Sequence, residues 1–190
     1  KFKPSSENRR VLRKGDGIKF ELVPRAQFDF TPERRAFFKN YADIKFGKDT
    51  MSFERLDNLF ASPIISHLLV FTDGATGAEV GVATLYLEGN ELAFYYYAFY
   101  DLNYFQRNLG LYMMTSAVGE FARRGTRHLY LGTCYSGNAL YKTQFAGAEF
   151  FNGFRWSGDL RELKFLLQRD RPGAEGHLVE SEEFRRLFYQ

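Results

Sequence analysis

The amino-acid sequence predicts an α+β fold in a single domain, with a mixed central sheet flanked by helices. Three apolar runs rich in β-branched and aromatic residues, 64–72, 78–87 and 91–100, are separated only by short glycine-containing connections. Such a series is typical of antiparallel strands joined by hairpins. The next run, residues 110–124, repeats its apolar side chains at three- and four-residue spacing and therefore predicts an amphipathic helix.

The elements on either side of this series complete the prediction. Before it, residues 18–23 form a short strand, and Thr31 followed by Pro32 marks the start of a helix that continues to Gly47. A second helix covers residues 53–60. After the central helix, the sequence predicts a strand at 127–133, a short helix at 138–145, strands at 150–156 and 163–168, and a helical tail at 181–189.

Composition limits the classes of protein that this chain can be. It has 190 residues, of which 45% are hydrophobic, and a net charge of only +3, which does not by itself indicate a nucleic-acid partner. Residues 1–19 hold seven lysines or arginines. We predict a basic arm over residues 1–17, either solvated or anion-binding, and one domain over 18–190. Because the first residue is Lys1, we expect the chain to be a piece of a longer protein.

Cysteine and histidine usage argues against disulfide and metal chemistry. A single cysteine, Cys134, cannot form an internal disulfide, and His67, His128 and His177 lack the spacing of metal ligands. The sequence also contains neither a signal peptide nor an apolar stretch long enough to span a membrane. We therefore expect a cytoplasmic protein with no metal site and no membrane partner.

The start of the central helix is the strongest candidate for a binding site. A strand that ends in a loop and leads into a glycine-containing helix start directs unpaired backbone N–H groups and the positive end of the helix dipole at one point. Arg107, Gly110 and Tyr112 lie there. Gly110 either contacts a donor substrate bound at this point or only permits a tight turn of the chain. Tyr112 is either a wall of the pocket or a core aromatic.

Other candidates for substrate binding are an aromatic residue and three basic residues. Because Tyr96 lies in an alternating strand, at most one face of that strand reaches the cleft, and packing is the alternative role for Tyr96. Arg9 and Arg10 suit bidentate contact with a carboxylate or phosphate, or are solvated. Lys142 either attracts an anion or is an ordinary surface lysine.

Further arginines are candidates for contacts to a phosphate backbone, together with Arg107. They lie at the end of the central helix and just beyond it: Arg123, Arg124 and Arg127. No catalytic residue is predicted, because Ser136-Gly137 lacks the frame of a nucleophile elbow. Backbone N–H groups, tyrosines and cations suit acyl transfer from an activated donor to an amine.

Several segments, read in order, resemble arginyl-tRNA–protein transferases, a family that includes bacterial leucyl-transferring relatives. The matching segments are Phe2-Lys3-Pro4-Ser5-x-x-x-Arg9-Arg10, Leu109-Gly110-x-Tyr112, Leu129-Tyr130-Leu131-Gly132 and Tyr141-Lys142-x-x-Phe145. The resemblance implies a GNAT-like fold (the acyl-CoA N-acyltransferase type), in which the strands before and after the central helix splay apart and leave a cleft.

The resemblance also implies an activity. Arginine or leucine would move from its charged tRNA to the N-terminal amine of proteins that begin with Asp or Glu, which marks them for degradation. No separate cofactor is then needed, and Arg9, Arg10 and Lys142 would contact the acidic residue of the acceptor. Two alternatives stay open. The first is a GNAT enzyme that uses acetyl-CoA, which Tyr112 opposes because it replaces a small residue of the loop that usually holds acetyl-CoA in GNAT enzymes. The second is a non-catalytic tRNA- or peptide-binding module.

Overall fold

The computed structural model describes residues 2–169 and 180–189. The chain divides after Gly132 into two compact units, Lys1–Gly132 and Thr133–Gln190. The N-terminal arm expected over residues 1–17 is part of the first unit.

The first unit contains the sheet and four helices. Its elements are α1 (Ser6–Lys14), β1 (Ile18–Pro24), a 3-10 turn (Arg25–Gln27), α2 (Pro32–Phe46), α3 (Phe53–Ala61), β2 (His67–Asp73), β3 (Glu79–Glu88), β4 (Leu92–Tyr100), a 3-10 helix (Leu102–Arg107), α4 (Leu109–Arg124) and β5 (His128–Tyr130). The strands lie in the order β1-β2-β3-β4-β5. All neighbours are antiparallel except β4 and β5, which are parallel and joined by α4. This mixed, helix-flanked sheet is GNAT-like, as the sequence predicts.

Short polar side chains begin the helices of this unit. The hydroxyls of Thr31 and Ser52 accept hydrogen bonds from backbone N–H groups in the first turns of α2 and α3, so both helices begin where the sequence predicts. Ser5 forms a reciprocal capping box with Asn8 at the start of α1. Residues 6–14, expected as part of a basic arm, are therefore a helix, and it packs on α4 with Asn8 and Val11 buried.

Helices cover both faces of the sheet. On one face, Phe38 of α2 stacks on Phe60 of α3 and Phe99 of β4, with ring centroids 5.2 and 4.6 Å apart. On the other face, Tyr112 of α4 meets Phe71 of β2 edge to face at 6.2 Å. Burial of these aromatic side chains on both faces of the sheet stabilises the fold and fixes where β4 and α4 lie.

The second unit has helices and a two-stranded sheet of its own. It contains a 3-10 helix (Gly137–Gln144), β6 (Phe150–Phe151), β7 (Trp156–Ser157), α5 (Leu160–Arg169) and α6 (Glu182–Phe188). The strand predicted at 150–156 is instead the hairpin of β6 and β7. The strand predicted at 163–168 is wrong, because this segment is part of α5. There Glu162 is buried and accepts hydrogen bonds from Asn152 and Ser157. His177 lies outside the described residues.

Candidate functional site

The edge of β4 is open along most of its length. Only its first three residues pair with β5, and the last pair is Phe94 with Tyr130. β4 continues to Tyr100, so beyond Phe94 the side of β4 opposite β3 has no neighbouring strand. An edge of this kind can take up a ligand.

A β-bulge lies on this open part of β4. Tyr96 and Tyr97 together oppose the single residue Thr84 of β3. The Thr84 hydroxyl accepts a hydrogen bond from the Tyr97 N–H at 3.0 Å and donates one to the Tyr97 carbonyl at 3.3 Å. Thr84 is fully buried, so these bonds fix the shape of the bulge.

The bulge corrects one expectation about the tyrosines. Strict alternation would send Tyr96 and Tyr97 to opposite faces of the sheet, but both line one groove of about 240 Å³. Tyr96 is 40% exposed, as a ligand contact requires. The other residues that line the groove come from α3 and the chain on either side of it: Met51, Arg55, Asn58, Leu59, Ser62 and Ile64.

The start of α4 lies beyond the end of β4. Asn108 adopts the left-handed conformation, with φ of 51°. Its side chain makes no capping hydrogen bond, so the N–H groups in the first turn of α4 do not have the Asn108 side chain as an acceptor. A Cβ atom on Gly110 would lie 2.6 Å from the Cζ atom of Tyr100. Gly110 is therefore needed for the close packing of α4 on Tyr100, and its contact with a donor stays a prediction.

Tyr112 points away from the helix start and into the core. It is 7% exposed, and its hydroxyl donates a 2.8 Å hydrogen bond to the carbonyl of Ile18 in β1. Its ring lies against Gly15 at the end of α1, and burial raises the pKa of the phenol. In the structure, Tyr112 is therefore a core aromatic and not a wall of the pocket.

Tyr112→Phe is expected to lower the free energy of unfolding by about 1–2 kcal/mol, because it deletes a buried hydrogen bond while keeping the ring. The measurement is urea unfolding of the variant and the unchanged protein. Thermal melts with and without coenzyme A, run on both proteins, test the prediction that this ring excludes coenzyme A. Stabilisation of the unchanged protein by coenzyme A would contradict that prediction.

Arg107 is held by an acidic residue of the β2–β3 hairpin. Its Nη1 lies 3.7 Å from Oδ2 of Asp73, and the same oxygen accepts a 2.7 Å hydrogen bond from the Tyr104 hydroxyl. The bond from Tyr104, with the N–H of Ala75 and the charge of Arg107, holds the pKa of Asp73 below its usual value. This cluster connects the segment before α4 to the sheet and partly neutralises the charge of Arg107. Contact of Arg107 with a donor stays a prediction.

The Asp73 cluster predicts a pH dependence of stability. Since the pKa of Asp73 is lower in the folded than in the unfolded protein, its contribution is present above the unfolded value of 3.8 and is lost as the pH falls through the folded value. Asp73→Asn should therefore destabilise the protein at pH 7 and differ progressively less from it below about pH 4. Urea unfolding across this range measures the difference.

Tyr104→Phe is the control for this prediction, because it removes the largest cause of the lowered pKa while leaving the carboxylate in place. It should reproduce part of the pH-dependent difference. An Asp73→Asn difference that is the same at pH 7 and pH 3 would contradict the assignment.

Other arginines that the sequence singles out already have internal partners. Arg10 makes a bidentate contact with Glu7, at 2.7 and 2.6 Å, and Arg9 donates to the carbonyl of Pro4. Arg123 and Arg124 share Glu120. Arg127 lies 3.4 Å from Glu91. The carboxylates reduce the positive charge expected for a phosphate-binding surface at the end of α4, and contacts of Arg9 and Arg10 with a substrate stay predictions.

Lys142 lies in the second unit. Its Nζ donates a 2.7 Å hydrogen bond to the carbonyl of Thr133, and burial lowers the pKa of this amine. Burial raises the pKa of the neighbouring Cys134 thiol, against a small opposite effect of Lys142. Cys134 is thus kept as a thiol rather than a reactive thiolate, and the role of Lys142 as a substrate contact stays a prediction.

No group of three or more His, Cys, Asp or Glu side chains within 2–169 and 180–189 is placed to hold a metal ion. Across the same part of the chain, every helix is too short or too polar to span a bilayer.

Sequence reasoning missed Thr84 and Arg55. Thr84 is the one aliphatic hydroxyl residue in the run from Val80 to Leu87, and a small polar residue in a buried strand is a usable signal for such a role. Arg55 carries no comparable signal, because only the folded chain brings α3 beside β4.

Comparison with known proteins identifies relatives of one kind. No family model matches the chain. An aspartate/glutamate leucyltransferase of Ruegeria pomeroyi is 26% identical over 162 residues, which cover 82% of this chain and 58% of the relative. That of Ruegeria sp. (strain TM1040) is 26% identical, covering 94% and 66%, and that of Rhodospirillum rubrum is 28% identical, covering 90% and 68%. The chain is similar over most of its length to bacterial aspartate/glutamate leucyltransferases.

This similarity confirms the resemblance to the leucyl-transferring relatives that the sequence motifs indicate. The chain spans about three fifths to two thirds of the length of these curated leucyltransferases, so they have residues with no counterpart in it.

Solved structures with a similar backbone include acetyltransferases. An aminoglycoside acetyltransferase from an uncultured soil metagenomic sample has a TM-score of 0.48 and 16% identity, covering 75% of this chain and 97% of its own. A GCN5-related N-acetyltransferase from Sphaerobacter thermophilus has a TM-score of 0.40 and 19% identity, covering 60% and 35%.

Proposed function

We propose that this chain is the GNAT-like catalytic part of an aminoacyl-tRNA–protein transferase. It would move leucine, in preference to arginine, from charged tRNA to the N-terminal amine of proteins that begin with Asp or Glu. The observation that carries this proposal is the bulged edge of β4 beside the start of α4, because no neighbouring strand pairs with this edge beyond Phe94 and an acyl group can be held there. The names of the homologous leucyltransferases support the choice of leucine.

The proposed reaction needs positioning more than a strong nucleophile. The neutral α-amine of the acceptor attacks the carbonyl carbon of the aminoacyl ester, and a new C–N bond forms. Backbone N–H groups on the open edge of β4, beyond Phe94, stabilise the oxyanion. The C–O bond to the ribose then breaks, and the proton lost by the amine ends on the departing ribose hydroxyl. The donor is already activated as an ester, so no separate cofactor enters this scheme.

The 3′ end of the tRNA is proposed to approach the start of α4. The first-turn N–H groups there are not capped by Asn108, and such groups favour a phosphate. Tyr96 and Tyr97 would border the aminoacyl group. The resemblance assigns the acidic acceptor residue to Arg9, Arg10 and Lys142, and this assignment stays a prediction.

The proposed setting is the cytoplasm, where charged tRNA is made, and the proposed product is a degradation signal. The setting and signal can be tested by following the half-life of a reporter that begins with Asp, in cells with and without the protein. A shorter half-life with the protein present is expected. An unchanged half-life would remove the degradation role without affecting the transfer reaction.

The transfer reaction is tested directly with the full-length protein. Leucyl-tRNA and arginyl-tRNA, each with a labelled amino acid, are incubated with peptides that begin with Asp, Glu or Ala. Label from leucyl-tRNA should enter the Asp and Glu peptides alone. Absence of transfer to every acidic peptide would overturn the proposal. Acetyl-CoA with the same peptides tests the acetyltransferase alternative, which predicts acetylated product.

A further inference from the structure

The groove beside the β4 bulge has two chemically different walls. Tyr96 and Tyr97 form an aromatic wall, and Met51 and Leu59 contribute buried apolar surface. The opposite wall is polar and comes from one side of α3 and its C-terminal end. Arg55, Asn58 and Ser62 follow there at intervals of three and four residues, so they lie in a row along the helix.

Among the described residues that line this groove, Arg55 carries the positive charge. Its Nη1 donates a 3.1 Å hydrogen bond to the carbonyl of Thr50, which orients the guanidinium without neutralising it. α3 carries two carboxylates near Arg55 in sequence. Glu54 directly precedes it, and adjacent residues of a helix do not face each other. Asp57 is engaged by Arg35 in a bidentate contact at 2.6 and 2.8 Å. Within the described ranges, the structure records no ion pair for Arg55.

The volume of the groove limits its occupant. A groove of about 240 Å³ has room for one amino-acid residue and not for a folded segment. An apolar side chain would cover Arg55, Asn58 and Ser62 and leave them without water. A carboxylate instead matches the charge of Arg55 and can take both arms of the guanidinium fork.

We propose that this groove holds the first residue of the acceptor, with its carboxylate on Arg55 and its α-amine at the bulge of Tyr96 and Tyr97. This inference rests on the proposed transfer reaction and assigns the selection of Asp or Glu to a residue of α3, in place of Arg9, Arg10 and Lys142. The amine then lies beside the open edge of β4, where the ester carbonyl is held.

The test uses the full-length protein with Arg55→Gln, Arg55→Lys and, as a matched control, Arg186→Gln on exposed α6. Steady-state transfer of leucine is measured with peptides that begin with Asp or Asn. Arg55→Gln should raise the KM for the Asp peptide about 10- to 100-fold, because a charge-assisted bidentate contact is lost. The KM for leucyl-tRNA should stay within about threefold, since the donor is held elsewhere. Arg55→Lys should recover part of the loss, and Arg186→Gln should leave both constants unchanged.

Binding measurements keep this inference separate from the transfer reaction. Calorimetry should find that the unchanged protein binds the Asp peptide more tightly than the Asn peptide, and that Arg55→Gln abolishes the difference. If transfer occurs but Arg55→Gln leaves the KM for Asp unchanged, the inference is overturned and the transferase proposal stands. If no peptide is modified, the proposed function fails, and calorimetry alone decides: equal affinities for Asp and Asn peptides would overturn the assignment of Arg55.

Discussion

Thr84→Val is expected to lower the free energy of unfolding by about 2–3 kcal/mol and to reduce leucine transfer by about 10- to 100-fold. Valine keeps the branched shape of threonine but has no hydroxyl. The Tyr97 N–H and carbonyl both lose their bonds to Thr84, and this side chain is fully buried. Without them, the bulge has no polar contact to hold its shape.

The loss of activity follows from the position of the bulge. Tyr96 and Tyr97 line one groove only while two residues oppose Thr84, so straightening of β4 would turn one ring to the other face. A displacement of about 1 Å in a positioning site can cost two orders of magnitude in rate. Chemical unfolding and steady-state transfer, measured on the same preparation, test both parts of this prediction.

Thr115→Val is the matched control. Thr115 is also buried, but its hydroxyl donates to the carbonyl of Leu111 within α4, an acceptor that already lies in a helix. This substitution should cost about 0.5–1.5 kcal/mol and leave transfer nearly unchanged. If the Thr84 and Thr115 variants had the same stability and the same activity, the bulge would have no role in the site.

Gly15→Ala is expected to lower the free energy of unfolding by about 3 kcal/mol, at the upper end of overpacking effects. The added Cβ would lie 2.1 Å from Cδ2 of Tyr112, and this ring cannot move freely because its hydroxyl is bonded to Ile18. The backbone of Gly15, with φ of −88°, is open to alanine, so the expected loss comes from the contact alone.

Gly119→Ala is the control for this prediction, since a Cβ there would meet nothing within 4 Å. It lies inside α4, where alanine is favoured over glycine, and should stabilise the protein by up to about 1 kcal/mol. Thermal and urea unfolding of the two variants should therefore change in opposite directions. A Gly15 variant as stable as the Gly119 variant would mean that α1 does not pack on Tyr112 in solution.

Features that depend on local sequence were predictable. Thr31 and Ser52 cap their helices through bonds to residues three positions later, and the runs that form β3 and β4 alternate or remain apolar over ten residues. These signals lie within one element, so they can be read without the rest of the chain. The same local signals predicted a strand at 163–168, which is wrong. The apolar residues of this segment fit the pattern of a strand, but they also fit the pattern of one side of a helix, here α5.

The function of individual side chains was less predictable, because it depends on contacts between distant residues. Tyr112 is separated from Ile18 by 94 positions, yet this contact holds the Tyr112 ring in the core. Arg107 is separated from Asp73 by 34 positions, yet this contact decides that the Arg107 guanidinium has an acidic partner. The pair of Glu7 and Arg10 is local, three positions apart on α1, and was missed because residues 6–14 were expected as an arm rather than a helix.

The sequence by itself determined the α+β class, the order of strands and helices from β1 to β5, and the resemblance to leucyl-transferring enzymes, because hydrophobic periodicity and short motifs are properties of neighbouring residues. Only the tertiary structure decided which groups border the site. Pairing of β3 with β4 created the bulge at Thr84, and packing of α3 beside β4 brought Arg55 to the groove. Both depend on strand register and helix docking, which are set by the packing of the whole core.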